Sequence, residues 1–230
     1  MRALILGYDT EYYGRKAHTE DEAVRQREHC VQSVRNLLSL HESNKTPCTF
    51  FLLGKLIEAE PKIPELLKDT NFDTQSHLYS HSLVKEVPYR NGRILSLSEL
   101  DEEIRKTSYL LKEMLGRTFT GIRFPYRYQG GFQNSPAILK VLKENHTEFI
   151  SSDTSNERQN DVEAFIKAPI QPYRYENGIL EIPISGILDT MFVGKDLGLA
   201  AIKKHFMDEF EFAMRNDIPY APGFHPWALG

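Results

Sequence analysis

Residues 3–11 read A-L-I-L-G-Y-D-T-E. The apolar run Ala3–Gly7 has the length and composition of a buried strand, and two carboxylates, Asp9 and Glu11, follow its closing glycine. Downstream the period changes. Between Asp21 and Glu42, the apolar residues Val24, Val31, Val34, Leu37 and Leu38 keep helical spacing among charges. After Pro47, Cys48–Leu53 reads again as a strand, stopped by Gly54. Strand, helix, strand is the repeating unit of a mostly parallel sheet with helices outside it.

The alternation continues. Short helices are expected at Lys55–Glu60 and Pro64–Lys68, then a strand at Phe72–Ser76 that runs into His77–His81. Ser98 with Asp101 three residues later resembles a capping box. Leu100, Ile104, Leu111 and Leu115 line one face of the helix that follows, and Gly116 suits its end. A strand at Gly121–Phe124 leads to Pro125, a helix covers Ser135–Glu144, and a strand lies near Glu148–Ser152. Asn177-Gly178, between Tyr173–Glu176 and Ile179–Ile184, predicts a type I′ hairpin. A helix at Leu199–Arg215 precedes a last strand at Pro219–Phe224. Periodicity leaves barrel and open sheet both available. The placement of Asp9, Glu11, His77, His81, Arg123, Asp153 and His225 just after strands leans towards a barrel, whose chemistry sits on that rim.

The chain has 230 residues, within the size of one domain, since cores usually divide only above roughly 250–300 residues. One domain over 1–230 is the expectation. With 28 basic and 32 acidic side chains the net charge is −4, which argues against electrostatic capture of nucleic acid. Cys30 and Cys48 are too few for a disulfide framework and read as buried thiols. No apolar stretch approaches the roughly 18 residues of a membrane span. The opening residues lack a secretory pattern, so a cytoplasmic protein is expected.

Several residues could carry chemistry. His77 and His81, in H-L-Y-S-H, could reach one metal if a helix or tight turn puts them on one face. Of Asp9 and Glu11, one could ligate that metal while the other serves as a base, and either could equally be a polar strand exit. Arg123, in R-F-P-Y, could orient a carboxylate by bidentate bonding. His225, in F-H-P-W, sits beside an aromatic, and Asp153 opens a loop. Tyr12, Tyr13, Tyr126, Tyr128 and Trp227 suit sugar stacking.

Taken in order, five segments resemble the polysaccharide deacetylase family, the NodB-homology domain of carbohydrate esterase family 4. They are T-P-C-T-F-F-L-L-G-K-L-I-E (Thr46–Glu58), D-T-Q-S-H-L-Y-S-H (Asp73–His81), the helix Leu97–Gly116 with G-I-R-F-P-Y (Gly121–Tyr126), L-E-I-P-I-S (Leu180–Ser185) and F-H-P-W (Phe224–Trp227). The first motif, D-T-E, is similar to the Asp-x-Glu or Asp-x-Asp variant rather than to adjacent aspartates, and Leu78 stands where a Ser or Thr is usual.

The resemblance implies a single-domain α/β protein, a deformed (β/α) barrel of the NodB-homology type. It implies a metal-dependent hydrolase that removes N-linked acetyl groups from an N-acetylated carbohydrate and releases acetate. In that family's terms Asp9 is the base, Glu11, His77 and His81 hold a divalent ion, most simply Zn²⁺, and Arg123 tethers Asp9. Tyr126 offers a backbone N–H to the oxyanion, His225 is the general acid, and Asp153 is placed near the carboxylate that orients it. Two alternatives accompany this reading: a metal-independent ureide or amide hydrolase of the same fold, and a non-catalytic carbohydrate-binding relic. Retention of both histidines counts against the first, and retention of Asp9, Arg123 and His225 against the second.

Overall fold

The computed structural model describes residues 2–12, 19–154, 164–195 and 197–229. Parallel strands alternate with helices through most of the chain. β1 (Gly7–Thr10), α1 (Glu20–Asn44), β2 (Thr49–Leu52), α2 (Gly54–Ala59), α3 (Lys62–Lys68) and β3 (Asp73–Ser76) come first. α4 (Leu97–Leu115), β4 (Gly121–Arg123), α5 (Pro136–Glu144) and β5 (Phe149–Ser151) follow. The remainder is α6 (Ala164–Lys167), the pair β6 (Tyr173–Arg174) and β7 (Leu180–Glu181), a 3-10 turn at Asp189–Met191, α7 (Leu199–Arg215), β8 (Gly223–Phe224) and α8 (Pro226–Leu229).

The eight strands form one curled sheet in the order β6-β7-β5-β4-β3-β2-β1-β8. Every pairing is parallel except β6 with β7. Two isolated parallel bridges, Thr154 to Ile184 and Ser185 to Pro222, carry the sheet round towards β8. The molecule is a deformed (β/α) barrel, as the family resemblance implies and as the polar residues placed after the strands suggest. One apolar cluster packs α1, α2 and α3 against β2, with Cys30, Val34, Phe50, Leu52, Leu56 and Ile63 buried, and a second lies under α4 and α5. Both cysteines are buried free thiols. No described helix is long and apolar enough to cross a membrane.

Three local expectations are corrected. The first strand lies at Gly7–Thr10 rather than Ala3–Gly7, and Leu4 makes only an isolated bridge to Tyr220. All four residues of β1 are buried, so a barrel interior with polar partners accepts an Asp and a Thr that strand patterning would place outside. α4 is capped two residues earlier than expected. Ser96 accepts from Glu99 N–H while the Glu99 side chain accepts from Ser96 N–H, a reach that the longer glutamate makes easily. Gly116, at φ 69°, ends this helix as expected.

The third correction is the hairpin. Gly178 has φ 87° but Asn177 is not left-handed, whereas a type I′ turn needs positive φ at both. The bonds Gly178 N to Tyr175 O and Tyr175 N to Ile179 O define a three-residue loop closed by glycine in a G1 bulge.

Candidate active site

Glu11 follows β1, while His77 and His81 sit in the loop after β3, two strands away in the same sheet. Among the described residues these three form a group whose potential ligand atoms all lie within 4.8 Å of one another. Glu11 Oε2 is 3.6 Å from His77 Nε2 and touches His81 Nε2, and Oε1 is 3.5 Å from His225 Nε2. Burial opposes ionisation of Glu11, but His81, His77 and His225 outweigh it and hold the carboxyl well below its usual range. Burial likewise opposes a charge on His81, and Glu11 reverses that to raise its pKa.

The H-L-Y-S-H segment is not helical. Leu78 and His81 both adopt left-handed backbone, φ 59° and 61°, and these turns bring the two imidazoles to one point. Three supports hold them. His77 Nδ1 donates to the Arg123 carbonyl at 2.7 Å, which fixes the tautomer and turns Nε2 towards Glu11. Glu103, buried on α4, accepts from the backbone N–H of Tyr79 and of Ser80, and bonds the Ser80 hydroxyl as well. Leu78 is wholly buried in the second core cluster, so apolar packing anchors the residue that replaces the customary hydroxyl. A carboxylate and two oriented imidazoles suit a divalent ion such as Zn²⁺.

Asp9 lies inside the barrel beside Arg123. Arg123 Nη1 donates to Asp9 Oδ1 at 3.1 Å and to the Gly7 carbonyl at 3.3 Å. Its Nε donates to Ser151 Oγ, and the guanidinium stacks 4.3 Å from the Phe51 ring centre. The tether is therefore a single hydrogen bond from Nη1, not the expected bidentate pair, while Nε is engaged by Ser151. Gly7 makes the arrangement possible. A Cβ there would come within 2.8 Å of both Arg123 Nη2 and the Phe51 ring.

His225 completes the group from the opposite side. Its Nδ1 lies 2.7 Å from Asp189 Oδ1, and its backbone N–H donates to Asp189 Oδ2. Burial lowers the pKa of this imidazole, but Asp189, with help from Glu11 and Asp9, raises it to about 9. Tyr126 adopts φ 65° and packs its ring edge-on to His81 at 4.9 Å. Trp227 is buried, with its ring 5.3 Å from that of His225.

The structure thus brings together Asp9, Glu11, His77, His81, Arg123, Tyr126 and His225. It does not bring Asp153 to them. Asp153 Oδ1 accepts from Gly130 N–H and Thr154 N–H, and Oδ2 accepts from the Tyr173 hydroxyl. The carboxylate on His225 is Asp189, which the sequence reading missed. Its signal was a lone acid in the apolar run I-S-G-I-L-D-T-M-F, residues 184–192. Tyr128 is core rather than rim, Tyr12 donates to the Lys55 carbonyl, and Tyr13 lies outside the described residues.

A strand-rim cluster of one carboxylate and two imidazoles, flanked by Asp–Arg and Asp–His pairs, could hold a metal ion beside groups able to move protons. The family model for polysaccharide deacetylase matches residues 19–134, and the chain belongs to that family. The matched segment carries His77, His81, Arg123 and Tyr126 and leaves Asp9, Glu11 and His225 outside it. No curated protein sequence matches the chain.

Solved structures share the fold at low identity. A protein from Mycobacterium smegmatis assigned as a polysaccharide deacetylase is 17% identical with TM-score 0.69, covering 98% of this chain and 77% of its own. PuuE allantoinase is 16% identical with TM-score 0.65 over 98% of this chain and 77% of its own. A family 4 carbohydrate esterase from Streptomyces lividans, solved with acetate, is 14% identical with TM-score 0.50 over 95% and 91%.

Proposed function

We propose that this protein is a metal-dependent N-deacetylase that hydrolyses the acetamide of an N-acetylated sugar or glycan. The convergence of Glu11, His77 and His81 on one point, with Asp9 and His225 on either side, carries the reading. Glu11, His77 and His81 would hold the ion. When bound, a divalent ion such as Zn²⁺ acts as a Lewis acid that acidifies water and polarises a carbonyl.

The chain's own groups supply the remaining steps. Arg123 holds Oδ1 of Asp9, leaving Oδ2 to take the proton of the attacking water. Tyr126 takes a left-handed turn, and its backbone N–H makes no backbone hydrogen bond among the described residues, so it is available to meet the developing oxyanion. Asp189 occupies Nδ1 of His225, so Nε2 is the nitrogen that delivers a proton to the departing amine. The amide C–N bond breaks, a C–O bond forms, and acetate leaves with a free amino sugar.

The test is acetate release from a panel of N-acetylated sugars, with metal content measured in parallel. Wild type after chelation and zinc reconstitution should bind one ion and release acetate, and His81→Ala should do neither. Full turnover by metal-stripped protein would favour the metal-independent amide hydrolase instead.

A further inference from the structure

Four residues beyond Arg123 lies a second buried arginine that this chemistry leaves without a task. Arg127 is only 2% exposed. Its Nη1 donates to the Gly186 carbonyl at 3.3 Å, whereas Nε and Nη2 are buried and have no hydrogen-bond partner among the described residues. Those two nitrogens share one side of the guanidinium plane. Their N–H bonds run nearly parallel and form the side-on fork that matches the two oxygens of a carboxylate.

Arg127 also occupies a telling place. It directly follows Tyr126, and it reaches the loop at Gly186 that leads into Asp189. It therefore spans two segments that both contribute to the site. Its pKa is pushed down to about 10 by burial, against the pull of Tyr89, Asp9 and Glu209. Glu209 is otherwise engaged, accepting from Ile187 N–H and the Tyr220 hydroxyl. Among the described residues no carboxylate lies within ion-pair distance of Arg127. A buried cation with an empty fork destabilises a fold, and such a group persists where a ligand completes it.

We propose that Arg127 is a specificity-determining residue whose Nε–Nη2 edge binds a carboxylate carried by the substrate. The site would then prefer acidic N-acetylated sugars to neutral ones. This rests on the deacetylase reading above and adds the substrate's charge to it.

The test compares N-acetylglucosamine with two acids built on the same ring: its C6 uronic acid, and its 3-O-lactyl ether, N-acetylmuramic acid. Calorimetric binding, KM and melting temperature are measured for wild type and Arg127→Met. Wild type should favour at least one acid over the neutral sugar by tenfold or more, and in Arg127→Met that ratio should fall to about one. The melting temperature of Arg127→Met should stay level or rise, since an unpaired buried charge has been removed. A structural arginine would instead give a lower melting temperature and an unchanged ratio, which overturns the proposal. Turnover of N-acetylglucosamine with no preference for either acid also overturns it and leaves the deacetylase reading intact. Failure of all three sugars to bind overturns both.

Discussion

Asp189 grips His225 at two points, Oδ1 on the ring Nδ1 at 2.7 Å and Oδ2 on the backbone N–H. The imidazole can therefore neither flip nor swing, and Nε2 is held towards Glu11. A group fixed in this way has one outward nitrogen with which to transfer a proton.

His225→Ala should depress acetate release from an N-acetyl substrate by roughly 10²–10⁴-fold, the usual worth of a positioned acid. An activated aryl acetate, whose phenolate leaves without a proton, should lose far less. Equal losses on the two substrates, with a lowered melting temperature, would make His225 a packing residue.

Asp9→Asn and Glu11→Gln should separate base from ligand. Asp9→Asn should keep its metal while turnover falls at least ~10²-fold, because the amide cannot take the water's proton. Glu11→Gln should lose metal affinity. Elemental analysis beside acetate release decides, and the reverse pattern would exchange the two roles.

Gly7→Ala should damage stability and turnover together. The new methyl meets Arg123 Nη2 and the Phe51 ring at 2.8 Å, and overpacking of this kind typically costs about 1–3 kcal/mol. Thermal melting and acetate release measure both effects. An unchanged melting temperature with wild-type turnover would show that Arg123 relaxes freely.

Glu209 sets a pH dependence of stability. Burial raises its pKa from the ordinary 4.5 to about 7, despite hydrogen bonds from Tyr220 and Ile187. The folded state holds a proton that the unfolded state releases. The associated stabilisation is complete below about 4.5 and is lost as pH rises through about 7. At ~1.4 kcal/mol per pKa unit the whole effect is about 3 kcal/mol. Denaturant melts of wild type and Glu209→Gln across this range should show a falling slope in wild type that the variant reduces.

Much of the fold was legible because parallel strands and amphipathic helices leave strong periodic signals. The helix through Leu100, Ile104, Leu111 and Leu115 is one such case. Boundaries were harder where polar residues are buried. Asp9 and Thr10 belong to β1, yet their polarity marked them as lying beyond it. His77 and His81 were legible as a pair, but the two left-handed turns that join them at Glu11 depend on Glu103 and the Arg123 carbonyl, contacts far away in sequence. Asp189 escaped because nothing local distinguishes an acid that caps a short turn from one that grips an imidazole 36 residues later.

The pairing of Gly7 with Gly223 joins the earliest strand to the latest. The proposed metal ligands and their supports, Glu103 and the Arg123 carbonyl, are all present once residues up to β4 have folded, but His225 comes into place only when β8 docks beside β1. That docking closes a loop spanning nearly the whole described chain, the slow, entropically costly kind of contact. On the proposed deacetylase reading, affinity for metal and catalytic competence are thus properties of different folding steps. During refolding the first should return before the second, and acetate release then reports that the ring of strands has closed.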